Sequence, residues 1–296
     1  MTESEIVLHA RAKVNLALDV LGMRPDGYHD VVTVLQPLRL ADILRIHASS
    51  AEVEITCTDP EVPAGEGNLV LRAARLLQLA TGTRQGARLH IEKQIPIAAG
   101  LGGGSADAAT ALIGLNQLWE TGLTLRELTS LAEQVGSDVP YCLLNHTALG
   151  EGRGERLTLL PPAPSMAVVV AVPRVTWAGP KTATVFKAFR LDRVRQHPDI
   201  VALRAALAAR SAAAVAAAMG NVLEPVATGM HPIIAEIKQA MLSAGAQGAC
   251  MTGAGPAVVG CTADARAAAS IASAVRPLAD RVIVTETLTT GALGGD

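Results

Sequence analysis

The stretch "PIAAGLGGGSADAA", Pro96 to Ala109, places four glycines within five residues: Gly100, Gly102, Gly103 and Gly104. An alanine-rich, apolar-periodic segment follows directly. A helix that starts here presents unpaired backbone N–H groups and the positive end of its dipole. Glycines before it let an anion lie against bare backbone. The plainer alternative is a turn whose glycines only let a helix pack closely on a strand. That alternative suits a glycine pair better than four glycines followed by Ser105. No lysine follows as a Walker A loop requires, and Ser105 stands where a dinucleotide fingerprint needs its third glycine. Ser105 can offer its hydroxyl to a phosphate oxygen or a Mg²⁺ ion, or cap the helix; the sequence does not separate these uses.

Outward from the loop, "LHIEK" (Leu89–Lys93) alternates as a strand leading into it, and Ala106 to Trp119 reads as the helix after it. Asn68 can cap a helix over Leu69–Ala80, ended by Gly82. Thr124 and Glu127 form a capping-box pattern before Leu128, Leu131 and Val135, with Gly136 as the stop. Near the start, "ARAKVNLALDV" alternates so that Ala10, Ala12, Val14, Leu16, Leu18 and Val20 share one face. That predicts a strand buried on one side, with Arg11, Lys13, Asn15 and Asp19 on the other. Separate strands are expected at 31–35, 43–47 and 53–57, and "RPDGYH" (Arg24–His29) carries turn chemistry.

"LTLLPPAPS" (Leu157–Ser165) reads as a linker, dividing the chain into domains 1–160 and 161–296. Beyond it come a strand at 167–173, one helix within 198–219 and a helix starting at Pro232. Strand "AVVGC", helix "ADARAAASIASAV" and strand "RVIVTETL" follow, which predicts an α+β layer with helices on one sheet face.

The 296 residues are 50% hydrophobic and 18% charged, with net charge −2 and a pI near 6.4, as in an ordinary globular chain. This balance gives no electrostatic footprint for nucleic acid or an anionic membrane. The apolar runs are too short to span a bilayer, and no secretory signal is expected. Cys57, Cys142, Cys250 and Cys261 form no CxxC pair, so they read as reduced thiols of a cytoplasmic protein without a dedicated metal site.

The glycine stretch does not stand alone. "AKVNLALDVLGMRPDGYHDV", "GSDVPYC" at 136–142 and "MTGAGPAVV" at 251–259 accompany it in order across nearly the whole chain. Together these motifs resemble those of the GHMP kinases, the superfamily of galactokinase, homoserine, mevalonate and phosphomevalonate kinases. The form "AKVNL…RPDGYH" is similar to the branch that phosphorylates 4-diphosphocytidyl-2-C-methyl-D-erythritol (CDP-methylerythritol). The resemblance implies a two-lobed α+β fold, with an N-terminal ribosomal-S5-like lobe and a C-terminal ferredoxin-like lobe. It implies ATP and Mg²⁺ as cofactors, CDP-methylerythritol as the small-molecule partner, and a monomer or weak homodimer. A sister kinase of the homoserine or mevalonate type, or a non-catalytic sensor on the same fold, are the alternatives. "RPDGYH" argues against the first, and the presence of both Lys13 and Asp138 against the second.

Residue by residue, the resemblance makes Lys13 a fixed cation beside the transferred phosphoryl and Asp138 the general base. It puts Pro96, Ile97, Ala98, Ala99, Gly100, Leu101, Gly102, Gly103, Gly104, Ser105 and Ala106 around the nucleotide, with Asn68, Leu69 and Lys93. It places Tyr28 and Phe186 on the two faces of a cytosine, His29 at its edge, and Asn15, Thr182 and Gly253 near the substrate. Taken alone, these residues also have ordinary readings: Asn68 and Asp138 as caps, Leu69 and Phe186 as core, Lys13 and Lys93 as solvated lysines. Tyr141 and Val259 depart from the phenylalanines common in the relatives and read as packing changes. Asp107 stands one turn inside an anion-binding helix, where it opposes phosphate unless it faces Mg²⁺ or turns away.

Overall fold

The computed structural model describes residues 5–50, 52–65 and 67–289. Two long strands, β1 (Ile6–Met23) and β2 (His29–Ser49), are followed by β3 (Val53–Cys57), α1 (Leu69–Thr81) and β4 (Gly86–Glu92). Next come α2 (Gly103–Leu118), α3 (Leu125–Val135), α4 (Val139–Leu144), β5 (Ala148–Gly152) and β6 (Arg156–Leu159). β7 (Ala167–Val172), α5 (Lys181–Ala188), α6 (Ile200–Ala208), α7 (Ala212–Ala217), β8 (Gly220–Asn221) and α8 (Glu224–Met230) lead into the last part. α9 (Ile233–Ser243), β9 (Gly248–Met251), β10 (Val258–Thr262), α10 (Ala265–Val275) and β11 (Arg281–Glu286) complete it. No helix among the described residues is long and apolar enough to cross a membrane.

The chain forms two compact units that interleave along the sequence. Of the described residues, the first holds those up to Ala12 together with those in Leu40–Ile97 and Gly102–Asn145. The second holds Lys13–Arg39, Ala98–Leu101 and the described residues from His146 onward.

In the first unit, β2 pairs antiparallel with β4 from Ile43↔Glu92 to Ser49↔Gly86, and β3 runs parallel to β4. Helices α1 and α2 bury Val70, Leu77, Leu112 and Leu115 against Leu44, Ile46, Leu89 and Ile91 of this sheet. Gly114 lets α2 come down onto it, since a Cβ there would run into the Ile46 side chain. The expected caps are present: Asn68 accepts from Val70 N, Gly82 takes the left-handed conformation, and Thr124 and Glu127 form a reciprocal capping box.

In the second unit, β2 pairs with β5 from Val31↔Gly152 to Leu35↔Ala148, and Ala17 and Leu18 of β1 pair parallel with β8. The segments 31–35 and 43–47, expected as two strands, are one. Pro37 removes a ladder donor, but the buried Gln36 amide donates to the carbonyls of Pro37 and Leu288, and Thr147 donates to Gln36 Oε1. The four-stranded sheet β11-β7-β10-β9 carries the second core.

Four further expectations change. β1 is buried on both faces from Ala12 to Val20, because polar side chains of its second face meet partners from distant parts of the second unit. The first part of the expected linker Leu157–Ser165 is instead strand: β6 (Arg156–Leu159) pairs with β5 at the sheet edge. The helix within 198–219 is two helices, broken where Arg210 takes φ 52° and Ser211 caps α7. Helices also lie on both faces of the second sheet. Gly260 and its cross-strand partner Ala249 face Met241 of α9, whereas Gly248, on the opposite face, lies against the backbone of Ala216 in α7.

That last contact is testable. A Cβ at Gly248 would overlap the Ala216 carbonyl oxygen, which is backbone and cannot rotate away, whereas one at Gly260 would meet the flexible Met241 sulfur at 3.0 Å. Gly248→Ala is expected to cost about 3 kcal/mol or more in urea denaturation, and Gly260→Ala about 1 kcal/mol. Equal costs would show that α7 shifts freely on the sheet.

Candidate active site

The glycine segment is built from unlike parts. Ala98–Leu101 group with the second unit, where Ala257 N donates to Ala99 O at 3.2 Å and Lys13 N to Leu101 O at 2.9 Å. Gly100 has φ 89°, and a Cβ on it would run into the Thr252 carbonyl. Lys181, the first residue of α5, donates to Ala98 O at 2.7 Å and to Gly255 O, tying this segment to the "MTGAGP" turn. No sequence pattern pointed to Lys181.

Gly102 onward belongs to the first unit. Gly102, with φ 71°, is the N-cap of α2 and supplies no side-chain cap; the first intrahelical bond is Ala106 N to Gly102 O. The helix therefore begins three residues before the expected Ala106, and Ser105 lies inside its first turn, so it does not cap the helix. That leaves the first amides of α2 without a side-chain partner at its N-cap. Gly103 makes room for Lys93, whose Nζ would stand 3.2 Å from a Cβ at that position. Gly104 is exposed; a Cβ there would meet only Leu69 Cδ1, at 3.9 Å.

Lys93 is not a solvated lysine. Its buried ammonium donates to Asp42 Oδ2 at 2.5 Å and to Asp107 Oδ2 at 2.9 Å. Asp42 Oδ1 also accepts from the backbone N–H of Gln94 and Ile95. Asp107 thus turns toward Lys93. Burial pushes its carboxyl up to about 7, Asp42 adds to the rise, and Lys93 opposes it. Asp107 Oδ1 has no hydrogen-bond partner among the described residues. Asn68 is engaged at both ends of its amide, accepting from Val70 N and donating to Pro63 O. Asp138 stands at the N-cap of α4, half-buried, and its side chain makes no capping hydrogen bond to that helix. Tyr141 is fully buried, with its hydroxyl unpartnered among the described residues.

In the second unit Lys13 is 5% exposed, and its Nζ donates to Asn15 Oδ1 at 2.9 Å. Asn15 is a hub: its N–H donates to Thr252 Oγ1, its amide to Thr33 Oγ1, and its Oδ1 accepts from Thr252 as well. Gly253, with φ 57°, lies where a Cβ would be 3.6 Å from Asn15 Oδ1. The structure thus gathers Lys13, Asn15, Gly100 and Gly253 around Thr252, a residue the sequence reading passed over.

The aromatic residues also group here. His29 and Phe186 have ring centroids 5.0 Å apart and tilted by 40°, and Phe189 meets His29 edge-on at 6.1 Å. Burial lowers the His29 pKa, favouring the neutral ring. Tyr28 is 56% exposed, with the Arg153 guanidinium 4.8 Å from its ring centroid. Thr182 is exposed on α5. Among the described residues there is no group of three or more His, Cys, Asp or Glu side chains placed to hold a metal.

The family models described as the N-terminal and C-terminal domains of GHMP kinases match residues 68–146 and 203–278. The 4-diphosphocytidyl-2-C-methyl-D-erythritol kinase of Pelotomaculum thermopropionicum is 47% identical over 279 residues, covering 94% of this chain and 96% of that protein. Its counterpart in Symbiobacterium thermophilum is 47% identical over 283 residues, covering 95% and 99%. A crystal structure of a 4-(cytidine 5'-diphospho)-2C-methyl-D-erythritol kinase superposes with TM-score 0.81 at 34% identity, covering 98% of this chain and 100% of that one. The homoserine kinase of Cytophaga hutchinsonii, at 22% identity and TM-score 0.79 over 98% and 97% of the two chains, shares the fold. On sequence and structure alike, the chain belongs to the GHMP kinases, and within them to the family of 4-diphosphocytidyl-2-C-methyl-D-erythritol kinases.

Proposed function

We propose that this chain transfers the γ-phosphoryl group of Mg²⁺-ATP to the 2-hydroxyl of CDP-methylerythritol, giving the 2-phosphate and ADP. The setting is the cytoplasm and non-mevalonate isoprenoid precursor synthesis, with the enzyme a monomer or weak homodimer. Residues 1–160 act as the nucleotide-binding domain and 161–296 complete the substrate site.

The observation that carries the nucleotide half of this reading is Gly104. It lies in the first turn of α2, outside the left-handed region, with only one side-chain atom near an added Cβ. Glycine in such a place is worse than alanine by roughly 0.5–1 kcal/mol, and no contact among the described residues requires it. A group outside the chain does: a phosphate lying on the amides of the first turn. Pro96, Ile97 and Ala98 to Ala106 form this cradle, with Asn68, Leu69 and Lys93 on the adenosine side.

In the chemical step the substrate oxygen attacks the γ-phosphorus, the bond to the bridging oxygen breaks, and ADP leaves. Asp138 takes the hydroxyl proton, and Lys13 offsets the charge gathering on the phosphoryl oxygens. Asn15 holds the Lys13 ammonium through its side-chain oxygen. With that oxygen accepting from both Lys13 and Thr252, it keeps one amide N–H for the substrate. Tyr28 and Phe186 bracket the cytosine, the neutral His29 ring reads its edge, and Thr182 and Gly253 line the same ligand.

Gly104→Ala separates the ligand role from a structural one. The expected outcome is equal or slightly higher thermal stability together with an ATP KM raised about tenfold, since a methyl displaces a phosphate oxygen. Unchanged ATP affinity would leave Gly104 without a ligand role. For the chemistry, Asp138→Asn is expected to lower turnover by about 10²–10⁴-fold while calorimetry still detects CDP-methylerythritol binding. Turnover at the unaltered rate would remove Asp138 from the mechanism.

A further inference from the structure

The turn between β5 and β6, Gly152-Arg153-Gly154-Glu155, is more elaborate than a hairpin connection requires. Gly152 and Gly154 have φ 74° and 103°. The Glu155 carboxylate folds back so closely that a Cβ on Gly152 would stand 2.8 Å from one of its oxygens. That carboxylate accepts from the Arg153 backbone N–H at 2.5 Å. Because Gly152 pairs with Val31 in the ladder, the turn stands beside the start of β2 and the "RPDGYH" hairpin. The hairpin is itself fixed: Arg24 N donates to Tyr28 O, Tyr28 N to Asp26 Oδ1, and Arg24 is ion-paired with Asp26. Two rigid turns therefore hold the Arg153 guanidinium over the ring of Tyr28, at 4.8 Å.

A tyrosine ring has two faces, and a large ring left 56% exposed gains little from the protein core. Arg153 covers one face and leaves the other. We infer that Arg153 is a positioning residue for the substrate's base: it fixes Tyr28 as one plate of the stack, so that guanidinium, phenol, cytosine and Phe186 follow in layers. This inference rests on the cytidyl reading above. Its physical content is preorganisation. A ring already held by a cation–π contact loses less side-chain freedom when a base stacks on it. Arg153 itself does not touch the ligand.

Calorimetric titration with CDP tests this in four proteins: unaltered, Arg153→Ala, Tyr28→Ala and the double variant. Arg153→Ala is expected to weaken CDP about three- to fivefold. With CDP-methylerythritol as acceptor, the loss falls on KM rather than kcat. Arg153→Lys, which keeps the cation, restores most of the affinity. In the Tyr28→Ala background, removing Arg153 changes nothing further. Two results overturn the inference: an equal loss in that background, which would place Arg153 on the ligand directly, or no loss in the first variant. Failure of the unaltered protein to bind CDP would end the cytidyl reading itself, and the role of Arg153 with it.

Discussion

One buried ammonium governs the glycine-loop side of the first unit. Lys93 stands between Asp42 on β2 and Asp107 on α2, and Asp42 also accepts from the amides of Gln94 and Ile95. Three pieces of chain that are far apart in sequence, a strand, the exit of another strand and the first turns of a helix, are thereby held to one point. Removing Lys93 would leave two buried carboxylates without their cation, an effect larger than the net benefit of the intact cluster. Where α2 starts, and so where its bare amides point, follows from this cluster. Two carboxylates against one cation would be a poor neighbour for a triphosphate. Burial, and then Asp42 beside it, raise the Asp107 pKa, which draws the cluster toward neutrality.

The second unit uses hydrogen bonds for the same purpose. Asn15 cannot swing, because its main-chain N–H, its amide and its side-chain oxygen are all committed to Thr252, Thr33 and Lys13. Lys93 and Lys13 are thus both buried lysines: the first donates to carboxylates 51 and 14 residues away, and the second, 5% exposed, donates to the Asn15 side chain two residues on.

This contrast explains what the sequence disclosed and what it withheld. Local signals were legible: the Asn68 cap, the Thr124–Glu127 box, Gly82 as a stop, and the alternation of β1, because each depends on residues within a few positions of one another. The pairing of Asn15 with Thr252 spans 237 residues, and that of Lys93 with Asp42 spans 51, so no pattern announces either. Alternation in β1 told which residues share a face but not that both faces are covered. The prolines after Leu160 marked a real interruption, and β6 runs up to it. β2 instead continues through Pro37, where the Gln36 side chain donates to the carbonyls of Pro37 and Leu288. The alanine-rich tract read as one helix because alanine signals helix everywhere and breaks nowhere, leaving Arg210 and Ser211 to decide the division.

The glycine loop, whose reading was the most consequential, turns out to have several causes rather than one. Gly100 and Gly102 satisfy positive φ values, and Gly100 also avoids the Thr252 carbonyl. Gly103 gives way to the Lys93 ammonium and Ile95. Each of these three has its reason inside the protein, so a packing turn accounts for them as well as an anion site does. The number of glycines, which is what a motif counts, therefore does not by itself imply a ligand. Gly104 differs from the other three: it has neither a positive φ nor a close neighbour among the described residues, and it breaks the local rule that a helical turn prefers alanine.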